Sequence, residues 1–225
     1  MTYEEYIAYH RRGDAGVEER MIASLCRHFR LTGWESFMLI YFYTMTYHIP
    51  SALSMLMDSE RDMSKLKFRT DRRYVRCNGA YGKLLSKLTQ DKYSRVKQAR
   101  TTSEAYKEVK SWYFFGRYAA YLFLEVYINV FRPDWLDDLA PDWEAGENYT
   151  KGAVSIIKST ERDELDRFLR RARKDASDNV FALETSLCAV AKINKGTRWD
   201  GYYTERMLQE ASGTKYESLI YSLVS

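Results

Sequence analysis

Apolar positions in this chain recur mostly at helical spacing. Val17, Met21, Leu25 and Phe29 fall four apart, which predicts an amphipathic helix to about Arg30. Thr2 is placed to cap a short first helix through His10, with a break at Gly13-Asp14. A further helix starting at Thr32 or Gly33 carries Trp34, Phe37, Met38, Tyr41, Phe42 and Met45, and Pro50 suits the first turn of another reaching Met57. Helices resume from Ala80 and from Ser103. A strong apolar run over Ser111–Val130 reads as one helix, with Trp112, Phe115, Tyr118, Ala119, Leu122, Val126 and Tyr127 in the core. The last third predicts helices near Thr150–Lys158, Thr160–Lys174, Ser177–Ile193 and Asp200–Ser212, with Ser177 or Asp178 and Asp200 as N-caps.

Two stretches break this period. Lys65, Lys67 and Arg69 alternate with Leu66, Phe68 and Thr70, which suits a short strand or an extended basic loop before the Asn78-Gly79 turn. Residues 131–149, "FRPDWLDDLAPDWEAGENY", form the longest irregular connection and the best place for a subdomain boundary. The expectation is an all-α protein, one helical domain over residues 1–225 with that boundary, and a small β element near residues 64–77.

Composition supports this picture. Apolar residues are 45% and aromatics 15%, enough for a packed core, and three prolines with eleven glycines leave room for long helices. Three cysteines without a C-x-x-C are too few for a disulfide framework, and three histidines lack metal-ligand spacing. The longest apolar segment, Phe37–Tyr47, is too short to span a bilayer, so no membrane partner is expected and a cytoplasmic location is.

Charge is more informative by position than in total. The net charge is +4, yet Asp58–Arg100 holds 13 Lys/Arg against 5 Asp/Glu. A concentrated positive patch attracts a polyanion; a solvated basic surface is the plain alternative. Within it, "TDRRYVR" combines Arg72, Arg73 and Arg76 with Tyr74, just after Arg69. Guanidinium forks beside an aromatic plane suit nucleic-acid phosphates and base stacking. Trp34, Tyr47 and His48 flank the aromatic segment "FMLIYFYTMTYH" and could wall a flipped base, although such residues are more often core.

The densest stretch is "ETSLCAVAKINKGTRWDGYYTER", from Glu184 to Arg206. Glu184 sits on a helix that is otherwise largely apolar, so it is either a general base poised near neutrality or one half of an ion pair to Arg198 or Arg206. Cys188 reads as a packed thiol. Lys192, Lys195 and Arg198 follow at the helix end, and Asp200-Gly201 opens the next helix, whose free N–H groups could hold an anion. Arg206 lies one turn beyond Tyr202, and Tyr203 suits the core.

These residues resemble the C-terminal signature of the α-glutamyl/putrescinyl thymine pyrophosphorylase superfamily. The likeness rests on Glu184, Leu187-Cys188, Lys192, Lys195-Gly196, Trp199, Gly201-Tyr202-Tyr203 and Arg206, and "FRTDRRYVR" looks similar to a second basic segment of that family. The chain departs from the pattern at Trp199-Asp200, where an apolar pair is expected. The resemblance implies a viral amino acid:DNA transferase acting in the cytoplasm of an infected bacterium. Its substrate is DNA carrying 5-(pyrophosphoryloxymethyl)uracil, and the amine of an amino acid or polyamine displaces pyrophosphate. Under that reading Glu184, Tyr202 and Arg206 are catalytic. Lys195, Arg198, Asp200 and Tyr203 hold substrate and pyrophosphate, and Arg69, Arg72, Arg73, Tyr74 and Arg76 hold DNA. Trp34, Tyr47 and His48 form the base pocket. Mg²⁺ on the pyrophosphate is compatible with the chemistry, although no carboxylate cluster argues for it. The competing readings are a non-catalytic helical nucleic-acid-binding module and a helical base-excision glycosylase, whose L-P-G-V-G hairpin is missing here.

Overall fold

The computed structural model describes residues 1–13, 15–60, 62–68, 81–139, 141–143, 147–197 and 204–224. The protein is all-α. Among the described residues the nearest thing to a sheet is one isolated parallel bridge, Thr101 to Leu136. The alternating segment begins with a 3-10 turn, Met63–Lys65, and Leu66–Phe68 carry no strand pairing. The rest of that predicted β element lies outside the described residues. The chain divides into two compact units, Met1–Val17 with Ala140–Arg206, and Glu18–Leu139 with Met207–Ser225.

The first unit is built from α1 (Tyr3–Arg12), α9 (Asn148–Ile157), α10 (Arg162–Asp175) and α11 (Val180–Ile193). Thr2 caps α1 through a reciprocal box: its side chain accepts from Glu5 N–H while Glu5 accepts from Thr2 N–H. On α10, Leu165, Phe168, Leu169 and Ala172 are buried, the three-four spacing of a helix with one face in a core and charges on the other. Tyr6 lies wholly inside, its hydroxyl 3.0 Å from Ser186 Oγ, and His10 Nδ1 is also 3.0 Å from that oxygen. The helix α9 meets α11 at Gly152. A Cβ there would lie 2.1 Å from Leu187 O, so only glycine permits this approach.

The second unit holds α2 (Val17–His28, from Glu18 on), α3 (Gly33–Thr46), α4 (Ile49–Met57), α5 (Tyr81–Ser86), α6 (Gln90–Gln98), α7 (Thr102–Lys110) and α8 (Arg117–Phe131). It also holds α12 (Thr204–Ala211) from Met207 and α13 (Glu217–Val224). Thr32 and Glu35 cap α3 by the same reciprocal box. From Ser36 to Thr46 every residue of α3 except Met38 is buried, as expected of a helix apolar all round. Its Phe37 packs with Trp112, Phe123 and Tyr127, ring centroids 5.1–6.5 Å apart.

Three sequence expectations change. The helix expected over Ser111–Val130 starts only at Arg117, because residues 111–116 turn through Phe114 at φ 61°. Trp112 and Phe115 are core all the same, whereas Tyr118 is 40% exposed. The cap of α11 is Asn179, whose side chain accepts from Ala182 N–H, and Ser177 supports it by accepting from Asn179 N–H.

Candidate functional site

The helix α11 carries the proposed catalytic carboxylate. Among Val180–Ala191 only Ala182 and Glu184 escape full burial, so Glu184 sits half-buried on a helix otherwise sunk in its unit's core. Part of its side chain faces the packed core and part reaches solvent. Cys188 is buried, as a packed thiol should be.

The turn after α11 is closed firmly. Thr197 donates to Lys192 O from both its N–H and its hydroxyl, each at 3.0 Å. Gly196 takes φ 67°, the left-handed conformation that favours glycine at a helix end. Asn194 Nδ2 donates to Ser155 Oγ at 2.7 Å, tying the turn to α9. Lys195 is thereby presented, exposed, on a fixed loop. Arg206 lies half-exposed in the first turn of α12. Arg198, Asp200, Tyr202 and Tyr203 lie outside the described residues.

The expected base pocket does not form as a group. Trp34 stands at the start of α3, and Tyr47 and His48 stand just past its end. At 1.5 Å per residue the helix sets them roughly 20 Å apart. Trp34 is half-exposed and stacks on Phe37 at 5.7 Å. Tyr47 is 1% exposed, takes φ 49° as the cap of α3 and packs edge-on against Tyr43 at 5.6 Å. It is a core residue, and its removal to Ala should cost about 3–5 kcal/mol in chemical denaturation.

His48 has a different setting. It caps α4, with Nδ1 accepting from Ser51 N–H at 3.2 Å, so the neutral ring carries its proton on Nε2. Ser51 Oγ lies 2.9 Å from the same Nδ1 and accepts from Lys67 N–H at 2.8 Å. The ring lines a cleft of about 320 Å³ with Ser54, Asp58, Lys65, Lys67, Lys215 and Tyr216. Lys65 and Lys67 begin the basic segment whose Arg69, Arg72, Arg73, Tyr74 and Arg76 lie outside the described residues.

Within this cleft Asp58 accepts from Lys215 and, at 3.0 Å, from Tyr216. The Lys215 bond, supported by Tyr216, holds the Asp58 carboxyl below its ordinary value of 3.8 against the opposing effect of burial. A depressed folded-state value adds stability above the ordinary value and loses it as pH falls through the folded one. Asp58→Asn should therefore shrink the acid limb of a stability–pH profile while leaving its shape above neutrality intact. The shift should be small and weaken with salt, because the pair is part-exposed.

Sequence reasoning missed three buried carboxylates. Glu18 and Glu19 are 1% and 0% exposed on α2, and Glu125 is 2% exposed on α8. Tyr43 donates to Glu18 Oε2 at 2.8 Å. Helical spacing places Glu18 and Glu19 off the apolar face of Val17, Met21 and Leu25, whereas Glu125 stands between Leu124 and Val126 on an apolar helix, the same signal that Glu184 carries. Among the described residues no group of three His, Cys, Asp or Glu could hold a metal ion, and no helix is long and apolar enough to cross a membrane. No family model, no curated protein and no solved structure matches the chain.

Proposed function

We propose that this protein is a DNA-modifying transferase that replaces pyrophosphate on 5-(pyrophosphoryloxymethyl)uracil in DNA with the amine of an amino acid or polyamine. The observation that carries the reading is Glu184: a half-buried carboxylate on a buried helix, opening the stretch to Arg206 that resembles the thymine pyrophosphorylase signature. The amine lone pair attacks the 5-methylene carbon. The new C–N bond forms as the C–O bond breaks, and pyrophosphate leaves with the electron pair. The nitrogen must shed a proton, which Glu184 accepts. Charge growing on pyrophosphate calls for cations, a role for Lys195, Arg198 and Arg206. Tyr202 assists the amine, and Asp200 and Tyr203 bind substrate and pyrophosphate. The basic segment from Arg69 to Arg76 holds the DNA backbone.

The test is a nucleoside digest read by mass spectrometry. Protein is incubated with DNA bearing pyrophosphorylated 5-hydroxymethyluracil and a pool of amino acids and polyamines. A nucleoside with the mass of 5-methylene-deoxyuridine plus one amine is expected, and it names the donor. An unchanged digest from folded protein and intact substrate overturns the reading.

A further inference from the structure

Six cations lie in residues 81–100 against the single carboxylate Asp91, so much of the chain's basic excess belongs to α5, α6 and their flanks rather than to the "TDRRYVR" segment. Lys87, Lys92 and Arg95 line a cleft of about 350 Å³ whose other wall is Trp112 and Tyr113. Lys92 Nζ sits 4.8 Å from the centre of the Trp112 ring. The two carboxylates lining the cleft are engaged: Asp91 pairs with Arg95 at 2.7 Å, and Glu108 accepts from Trp112 Nε1 at 2.8 Å.

The turn beside the cleft is unusual. Trp112 and Phe115 are buried and anchor it at both sides, while Tyr113 and Phe114 between them are 39% and 46% exposed. Their rings meet edge to face at 4.4 Å. Phe114 holds φ 61°, a conformation costly for a bulky side chain and free for glycine. A large apolar residue at positive φ with nearly half its surface open to solvent is not accounted for by packing alone. Strain of this kind gathers at ligand contacts.

We infer that the cleft between α6 and the α7–α8 turn binds an unpaired DNA strand, with phosphates against Lys87 and Lys92 and bases stacked on Tyr113 and Phe114. Aromatic faces beside a line of cations are the means by which proteins hold single strands. A duplex hides its base faces, so an unpaired strand is the occupant that uses both features. The inference deepens the transferase reading and rests on DNA being the partner, since drawing a base from the stack is easiest in a strand already unpaired.

Fluorescence anisotropy with a short labelled oligothymidylate, over a range of salt, tests it. The double variant Tyr113→Ala, Phe114→Gly should bind roughly tenfold more weakly. Its melting temperature should hold or rise, because glycine relieves the strain at position 114. Lys87→Gln should lower the log–log salt slope by about 0.7, the loss of one phosphate contact on a single strand. Unchanged affinity in the aromatic variant overturns the inference. Equal aromatic-dependent binding of duplex overturns the unpaired strand as ligand, and binding of polyglutamate in place of DNA overturns both. The nucleoside digest separates the two proposals. Wild-type product with no effect of the aromatic variant on strand binding sinks only the cleft, and aromatic-dependent strand binding without product sinks only the transferase.

Discussion

Glu184→Gln should lower turnover about 10²–10⁴-fold, the range that a positioned proton acceptor contributes. Gln keeps the size and hydrogen-bonding shape of Glu, so α11 should fold as before and DNA affinity should stay within about twofold. What Gln lacks is a basic oxygen for the proton of the attacking amine. The competing role for Glu184 is a structural ion pair, and it predicts a different pattern. Removing one partner of a part-buried pair costs stability by leaving the other charge uncompensated, and leaves chemistry alone in molecules that remain folded. Initial rates from the nucleoside digest, set beside a denaturation curve, separate the two. Lost turnover at unchanged stability supports the proton acceptor. Lost stability at unchanged turnover per folded molecule defeats it.

The starts of α1 and α3 were legible in the sequence. Thr2 with Glu5 and Thr32 with Glu35 announce α1 and α3 by spacing alone, and the three-residue interval leads directly to the reciprocal hydrogen bonds. The turn over Ser111–Gly116 was hidden for the opposite reason. "SWYFFG" is apolar and fits a helical period, and the bend depends on one strained backbone angle at Phe114 that no composition reveals. Glu184 was legible as a lone carboxylate among apolar neighbours, because a helix buried on nearly every side leaves few places for a charge. Trp34 is not brought together with Tyr47 and His48, since they stand at opposite ends of α3. A helix carries Trp34 and Tyr47 apart at 1.5 Å per residue, so a segment of aromatic residues becomes a buried rod with two distinct ends. Glu18 and Glu19 could not be found from spacing, whereas Glu125 stands among apolar neighbours as Glu184 does. Their burial is set by helices distant in sequence, and only partners such as Tyr43 make it tolerable.

Gly152→Ala should be the most destabilising single-methyl change in the first unit, at about 2–3 kcal/mol. Two effects oppose each other. Alanine favours the helix over glycine by about 1 kcal/mol. Against that, the new Cβ would lie 2.1 Å from Leu187 O and 2.8 Å from Leu187 C. Both are backbone atoms, so no rotamer change can make room, and α9 and α11 must move apart along their contact. Their separation opens a tightly packed seam, and that cost exceeds the gain in propensity. A loss of this size should lower the melting temperature by roughly 5–10 °C for a chain of this length. Gly82→Ala supplies the control, because a Cβ at Gly82 meets nothing within 4 Å on an exposed helix. That variant should hold or gain stability by up to about 1 kcal/mol. Leu187 lies less than one turn beyond Glu184, so the same displacement should also disturb the carboxylate. Gly152→Ala should therefore lose turnover beyond its unfolded fraction, measured below its melting point. If it is as stable and as active as wild type, α9 and α11 do not meet closely at Gly152, and that contact does not help to position Glu184.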